Sequence, residues 1–179
     1  MIDTAPSPLV LSHRLGHRPP GGASSAPLVL ELTAEERTRL RGLRHSVCGR
    51  PLLLQLPRGE PLQPGEWLAS SDEVPQVRVD AAAESLLLVR TDDPLALLRA
   101  AYHLGNRHVA LEVRREELRL LADPVLEALL RQRALRVSQA QEPFHPEPGA
   151  YGAASGHTHP PSPAAKQDTL DHARAVDDA

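Results

Sequence analysis

The residues of this 179-residue chain best suited to chemistry are its nine histidines. His103 and His108 lie five positions apart in Tyr102-His103-Leu104-Gly105-Asn106-Arg107-His108, and His157-Thr158-His159 sets two rings two residues apart. Neutral imidazole is a good ligand for nickel, copper and zinc. Side chains two apart in an extended chain point the same way, so His157 and His159 can offer two nitrogens together. The single cysteine, Cys48, excludes an internal disulfide and a Cys-based zinc cluster and fits a reducing compartment. Of the 20 basic residues only Lys166 is a lysine, which leaves almost no room for Schiff-base or phosphate-loop lysine chemistry. No Gly-rich phosphate loop, G-x-S-x-G elbow or H-E-x-x-H pair occurs. The carboxylates form no convergent acid–base pair, and Asp93 and Asp123, each followed by proline, are accounted for as helix caps. By residue type alone, a lone histidine at a strand start is more often a packing or surface residue than a ligand. A single His-x-His in a tail is weakly specific.

The elements around these histidines can be read from periodicity and turn signals. Leu86-Leu87-Leu88-Val89 is a buried-type strand. Asp93-Pro94 starts a helix whose apolar face is Leu95, Leu98 and Tyr102, with Leu97, Ala101 and Leu104 beside them. Gly105-Asn106 gives a left-handed stop. Val109–Val113 reads as a strand, Arg114–Glu117 as a tight turn and Leu118–Leu121 as the return strand. Asp123-Pro124 starts a second helix with Val125, Leu126, Leu129 and Leu130 as its stripe, and Leu135–Ser138 is a last strand. This β-α-β, β-α-β order predicts a ferredoxin-like sheet with two helices on one face. A core of that size is marginal, which favours support from dimerisation.

Upstream, Leu9–Leu11, Leu28–Leu32, Pro51–Leu56 and Val77–Val79 are short strands between turn residues. The chain is therefore α+β: a small β-rich N-terminal domain (1–84), a ferredoxin-like βαββαβ domain (85–148) and a disordered histidine-containing tail (149–179). Residues 17–27, rich in Pro, Gly and Ser, form a flexible loop.

Composition narrows the partners. Hydrophobic residues make up 41% and charged residues 24%, with a net charge of -3. That balance argues against nucleic acid, as do aromatics at only 2%, too few for stacking platforms. No apolar run approaches a membrane span and no signal segment opens the chain, so a cytoplasmic protein is expected.

The stretch Tyr102–His108, with Ala100-Ala101 before it and Val109-Ala110-Leu111 after it, resembles the signature of the urease accessory protein E (UreE) family. Leu15-Gly16-His17-Arg18, Leu32–Arg37, Leu56–Gly59, Asp92–Leu95 and Pro143–Tyr151 match in the same order. The resemblance implies a nickel metallochaperone and not an enzyme. Its Ni²⁺ cargo, replaceable by Cu²⁺ or Zn²⁺, is held at a symmetric dimer interface by His108 of each chain. It also implies a partner-binding N-terminal domain, delivery through the urease GTPase UreG to the urease apoprotein and accessory complex, and completion of the metal shell by tail histidines, here His157 and His159. His103 is a secondary ligand or a structural residue. Three features depart from the family pattern. Ala122 and Pro124 replace the histidines that some members carry beside the second helix start. The tail holds only His157, His159 and His172, too few for nickel storage. His145 stands where an acidic residue is usual. A metal-independent assembly adaptor, binding an extended partner by edge-strand addition, is the alternative.

Overall fold

The computed structural model describes residues 6–17, 27–71 and 76–148. Most of the expected 17–27 loop and the whole 149–179 tail, with His157, His159 and His172, lie outside the described residues.

The N-terminal half has the strands β1 (Leu9–Leu11), β2 (His13–Gly16) and β3 (Leu28–Leu32), the short helix α1 (Ala34–Thr38), then β4 (Arg41–His45), β5 (Pro51–Gln55), β6 (Trp67–Ala69) and β7 (Val77–Ala81). They form one sheet of order β1-β5-β4 and another of order β2-β6-β7-β3. Alternate residues of each sheet turn inward, as a period of two requires. Leu11, Leu52 and Leu54 from the first meet Leu30, Leu32, Leu68, Val77 and Val79 from the second in one core. Each fully buried leucine there contributes roughly 1.5–3 kcal/mol. The four expected strands are present, joined by β2, β4, β6 and α1, which periodicity had not revealed. Helix α1 is held by a capping box: Glu36 N–H donates to Thr33 Oγ1 (3.2 Å), and Thr33 N–H donates to Glu36 Oε2 (2.9 Å).

After Ala82 come β8 (Ala83–Arg90), α2 (Pro94–Gly105), β9 (Glu112–Arg114), β10 (Glu117–Leu121), α3 (Pro124–Gln132) and β11 (Arg136–Pro143). The sheet order is β11-β8-β10-β9 with every pairing antiparallel, the expected ferredoxin-like arrangement. Both Asp-Pro helix starts behave as read. Asp93 accepts from Leu95 N–H (2.9 Å), and Asp123 from Val125 and Leu126 N–H (2.8 Å each). Leu87, Val89, Leu118 and Leu120 pack against Leu97, Ala100 and Leu104 of α2 and Leu130 of α3. The other sheet face is covered too: Leu86 and Leu88 pack on Phe144, with Ala34 at the start of α1 against them. Strand β8 therefore reads as an unbroken apolar run because it is buried on both sides. Among the described residues these cores use none beyond Phe144, and no helix is long and apolar enough to cross a membrane.

Three expectations require correction. Asn106 is right-handed (φ -64°), and the left-handed residue that ends α2 is His108 (φ 56°). The strand expected at Val109–Val113 narrows to Glu112–Arg114, because Val109 N–H is used to close the helix on Leu104 C=O (3.2 Å). The Leu95, Leu98, Tyr102 face is not the core face. These residues are 51%, 68% and 68% exposed, whereas Leu97, Ala100 and Leu104 face the sheet. The helix is apolar on two sides, and only one of them meets its own sheet.

Candidate metal centre

His108 owes its position to the way α2 stops. His108 N–H donates to Gly105 C=O (2.9 Å) and Val109 N–H to Leu104 C=O, the paired bonds of a helix terminus whose next residue is left-handed. Val109 then packs into the core beside Leu104. Helix α3 ends the same way: Ala134 (φ 58°) donates to Arg131 C=O (3.0 Å) and Leu135 N–H to Leu130 C=O (3.2 Å). The fold thus uses one device twice, with a non-glycine residue in the left-handed position each time. A side chain there costs about 1–2 kcal/mol. What sets His108 apart from Ala134 is an exposed imidazole at the end of the uncovered apolar face of α2.

His103 lies in the last turn of α2, half-buried, its ring edge-on to Tyr102 with centroids 5.7 Å apart. Its carbonyl accepts from Arg107 Nη1 (3.1 Å). His103 and His108 are thus carried by the same helix end, one within it and one beyond it. His145 is exposed, and its backbone N–H, not its ring, is bonded, to Glu112 Oε2 (2.9 Å). Among the described residues no group of three or more His, Cys, Asp or Glu side chains is gathered as a metal cage. His108 therefore has no ready-made ligand set around it within the described part of one chain.

Beside the exposed helix face, a groove of about 290 Å³ runs between α2 and the β9–β10 hairpin, lined by Leu97, Leu98, Ala101, Val113 and Leu118. Val113 is itself 51% exposed. An uncovered apolar surface of this kind marks an interaction site. Helical spacing alone assigned these residues to packing; the sequence sign that α2 carries two apolar sides was present but had no direction.

Charge concentrates on the opposite face of the sheet. Glu112, Glu117 and Arg119 are all buried there. Arg114 Nε donates to Glu112 (2.7 Å), Arg119 bonds Glu117 and Glu142 (2.6 Å to the latter), and Arg90 pairs with Glu117. Burial alone would raise the Glu112 carboxyl, but the His145 N–H and the Arg114 and Arg119 guanidinia hold it below the ordinary carboxylate range. A lowered folded value gives stability that is present above the unfolded value of about 4.3 and lost as pH falls through the folded one. Urea denaturation should therefore show stability dropping below about pH 4, with a shallower fall in Glu112→Gln. Parallel pH curves for the two proteins would show that Glu112 contributes nothing to the fall.

Comparison with known proteins agrees with this architecture. Family models of the N-terminal and C-terminal domains of the UreE urease accessory protein match residues 11–82 and 84–175. A urease accessory protein UreE from Synechococcus sp. (strain WH7805) is 56% identical over 155 residues, 84% of this chain and 86% of its own. That of Parasynechococcus marenigrum (strain WH8102) is 52% identical over 151 residues, 84% of this chain and 96% of its own. A third, from Thermosynechococcus vestitus, is 53% identical over 126 residues, 70% of this chain and 88% of its own. With both domains matched in order and more than half of each aligned residue set identical, the chain belongs to the UreE family of urease accessory proteins.

Proposed function

We propose that this accessory protein, which is not itself an enzyme, is a cytoplasmic nickel metallochaperone working as a homodimer. It binds Ni²⁺ as cargo between two copies through His108 of each and passes it to the urease maturation machinery, with the GTPase UreG and the urease apoprotein as partners. The observation that carries this reading is the exposed His108 ring following the exposed Leu95, Leu98, Tyr102 face of α2. In an isologous dimer each copy presents the same patch, so one histidine near the axis appears twice and supplies two ligands. Two imidazoles leave open positions on the ion, which suits release better than a closed cage. Cu²⁺ and Zn²⁺ can occupy such a nitrogen site, since affinity rises toward copper and discrimination then rests on supply.

In this reading residues 1–84 serve partner contacts, 85–148 metal binding and dimerisation, and 149–179 form an arm whose His157 and His159 complete the shell. His103 is a secondary ligand. Equilibrium dialysis of the full chain against Ni²⁺ tests the reading: a chaperone retains the ion, and a metal-independent adaptor retains none.

A further inference from the structure

Strand β4 presents an edge that the metal centre does not use. Residues 37–59 hold six arginines and no aspartate or glutamate, in a chain whose net charge is -3. They include the β4–β5 hairpin, and β4 is one edge of the β1-β5-β4 sheet. Leu56 N–H donates to Leu40 C=O (3.1 Å) and Ser46 N–H to Arg50 C=O (3.0 Å), so the even-numbered residues of this strand bond to β5. The N–H and C=O groups of Arg41, Leu43 and His45 therefore point away from the sheet. Among the described residues no backbone group bonds them. Their side chains share the outer face with Val10 and Leu53, which stand in one row with Leu43 across the three strands. Leu43 is 52% exposed and Val10 39%. Arginine surrounds this apolar row. A hollow of about 370 Å³ at the start of β4 is lined by Arg39, Arg41 and Arg58. Arg39 pairs with Glu35, whereas Arg41, Arg44, Arg50 and Arg58 have no carboxylate partner among the described residues. Arg44 instead donates from Nη1 to Leu43 C=O (2.8 Å), and its enclosed Nε has no partner.

We propose that the β4 edge is a docking site for an extended acidic segment of a partner protein, which adds to the sheet as a further strand antiparallel to β4. The proposal rests on the reading that residues 1–84 serve partner contacts, and on no metal ligand. Directly opposed residues of such a pair exchange both backbone bonds and share a face. The segment therefore carries an apolar side chain opposite Leu43 and carboxylates on either side of it, opposite Arg41 and His45. A carboxylate that takes up the Arg44 guanidinium also frees Leu43 C=O for the ladder and ends the isolation of Nε, an enclosed donor that is costly to leave unpaired. Charge selects the occupant. Two copies of this edge repel each other, so arginine guards it against self-pairing and leaves it open to a strand of the opposite sign. Nucleic acid has that sign, but it cannot continue a β-ladder, and the row of Val10, Leu53 and Leu43 offers no aromatic ring for a base to stack on.

The test is fluorescence anisotropy of a labelled, capped peptide, Thr-Glu-Thr-Val-Thr-Glu-Thr, with the full-length protein. Replacing both glutamates by glutamine should weaken binding about tenfold or more. N-methylation of the Glu and Val amides, which face β4, should do the same, and N-methylation of the intervening threonines, whose amides face solvent, should not. On the protein, Arg41→Glu/Arg58→Glu should also cost about tenfold, and Leu43→Ser about threefold. These three positions are exposed, and the variants should unfold in urea like wild type. Nickel uptake by the same samples should stay at the wild-type level, so absence of peptide binding in a protein that retains nickel overturns this proposal alone. Equal binding of the glutamine and glutamate peptides would overturn the acidic-strand site while sparing a partner role for residues 1–84. An N-methylated peptide that binds as well as its parent would show charge attraction without strand addition. Tighter binding of an oligothymidylate than of the peptide would assign the edge to nucleic acid. Either result overturns the proposal.

Discussion

His108→Gly should abolish tight nickel binding while leaving the protein as stable as wild type or slightly more so. The left-handed backbone at His108 (φ 56°) costs a side-chain-bearing residue about 1–2 kcal/mol, and glycine relieves that cost. Glycine's greater freedom in the unfolded chain takes back about 0.5–1 kcal/mol, so the net change is roughly +0.5 kcal/mol. Binding moves the other way. One substitution removes a ligand from both halves of the dimer, and a loss of roughly a thousandfold or more, ~4 kcal/mol, is expected. Ala134→Gly is the matched control, because Ala134 (φ 58°) caps α3 in the same geometry. It should gain the same stability and bind nickel normally. Urea denaturation and nickel titration of the two variants separate the conformational part of residue 108 from its imidazole. A His108→Gly protein that still binds tightly would move the primary site elsewhere.

Deleting residues 152–179 should lower nickel affinity by about ten- to a hundredfold, or ~1.4–2.8 kcal/mol. The dimer should keep a two-nitrogen core from the paired His108 residues. A partial loss is expected, because any segment that orders on binding pays an entropy cost that offsets part of each new bond. X-ray absorption should show fewer nitrogen ligands in the truncated protein. Stability should not fall, since among the described residues Phe144 is the last in a core. Equal affinity and equal nitrogen count in the two proteins would exclude His157 and His159 as ligands and leave the His108 site standing.

How much of this was legible in the sequence depends on how local each signal is. The Asp93-Pro94 and Asp123-Pro124 starts and the Arg114–Glu117 turn are set by neighbouring residues, and the structure reproduces them. Strand β4 was hidden because its inward positions include Gly42 and Arg44, so it shows no apolar alternation. Helix α1 is one turn long, too short for periodicity, although Thr33 and Glu36 carried its capping signature. The stop after α2 shifted from Gly105-Asn106 to His108 because the end is chosen by Val109 reaching the core beside Leu104. A helical wheel cannot tell which of two apolar faces meets the sheet, and the Leu95, Leu98, Tyr102 face was assigned inward for that reason. The hold of Arg37 on Phe144 spans 107 positions and has no local signal. His108 itself was singled out by the resemblance of Tyr102–His108 to a family pattern; spacing alone left it a surface histidine.

In the proposed dimer one symmetric site serves two chains. Nickel titration of the full-length protein, with its mass followed by sedimentation, tests this most directly. The expected result is a dimer that takes up its first, tight ion at one per two chains. Saturation of the tight site at one ion per chain, or tight uptake by a protein that sediments as a monomer, would contradict it.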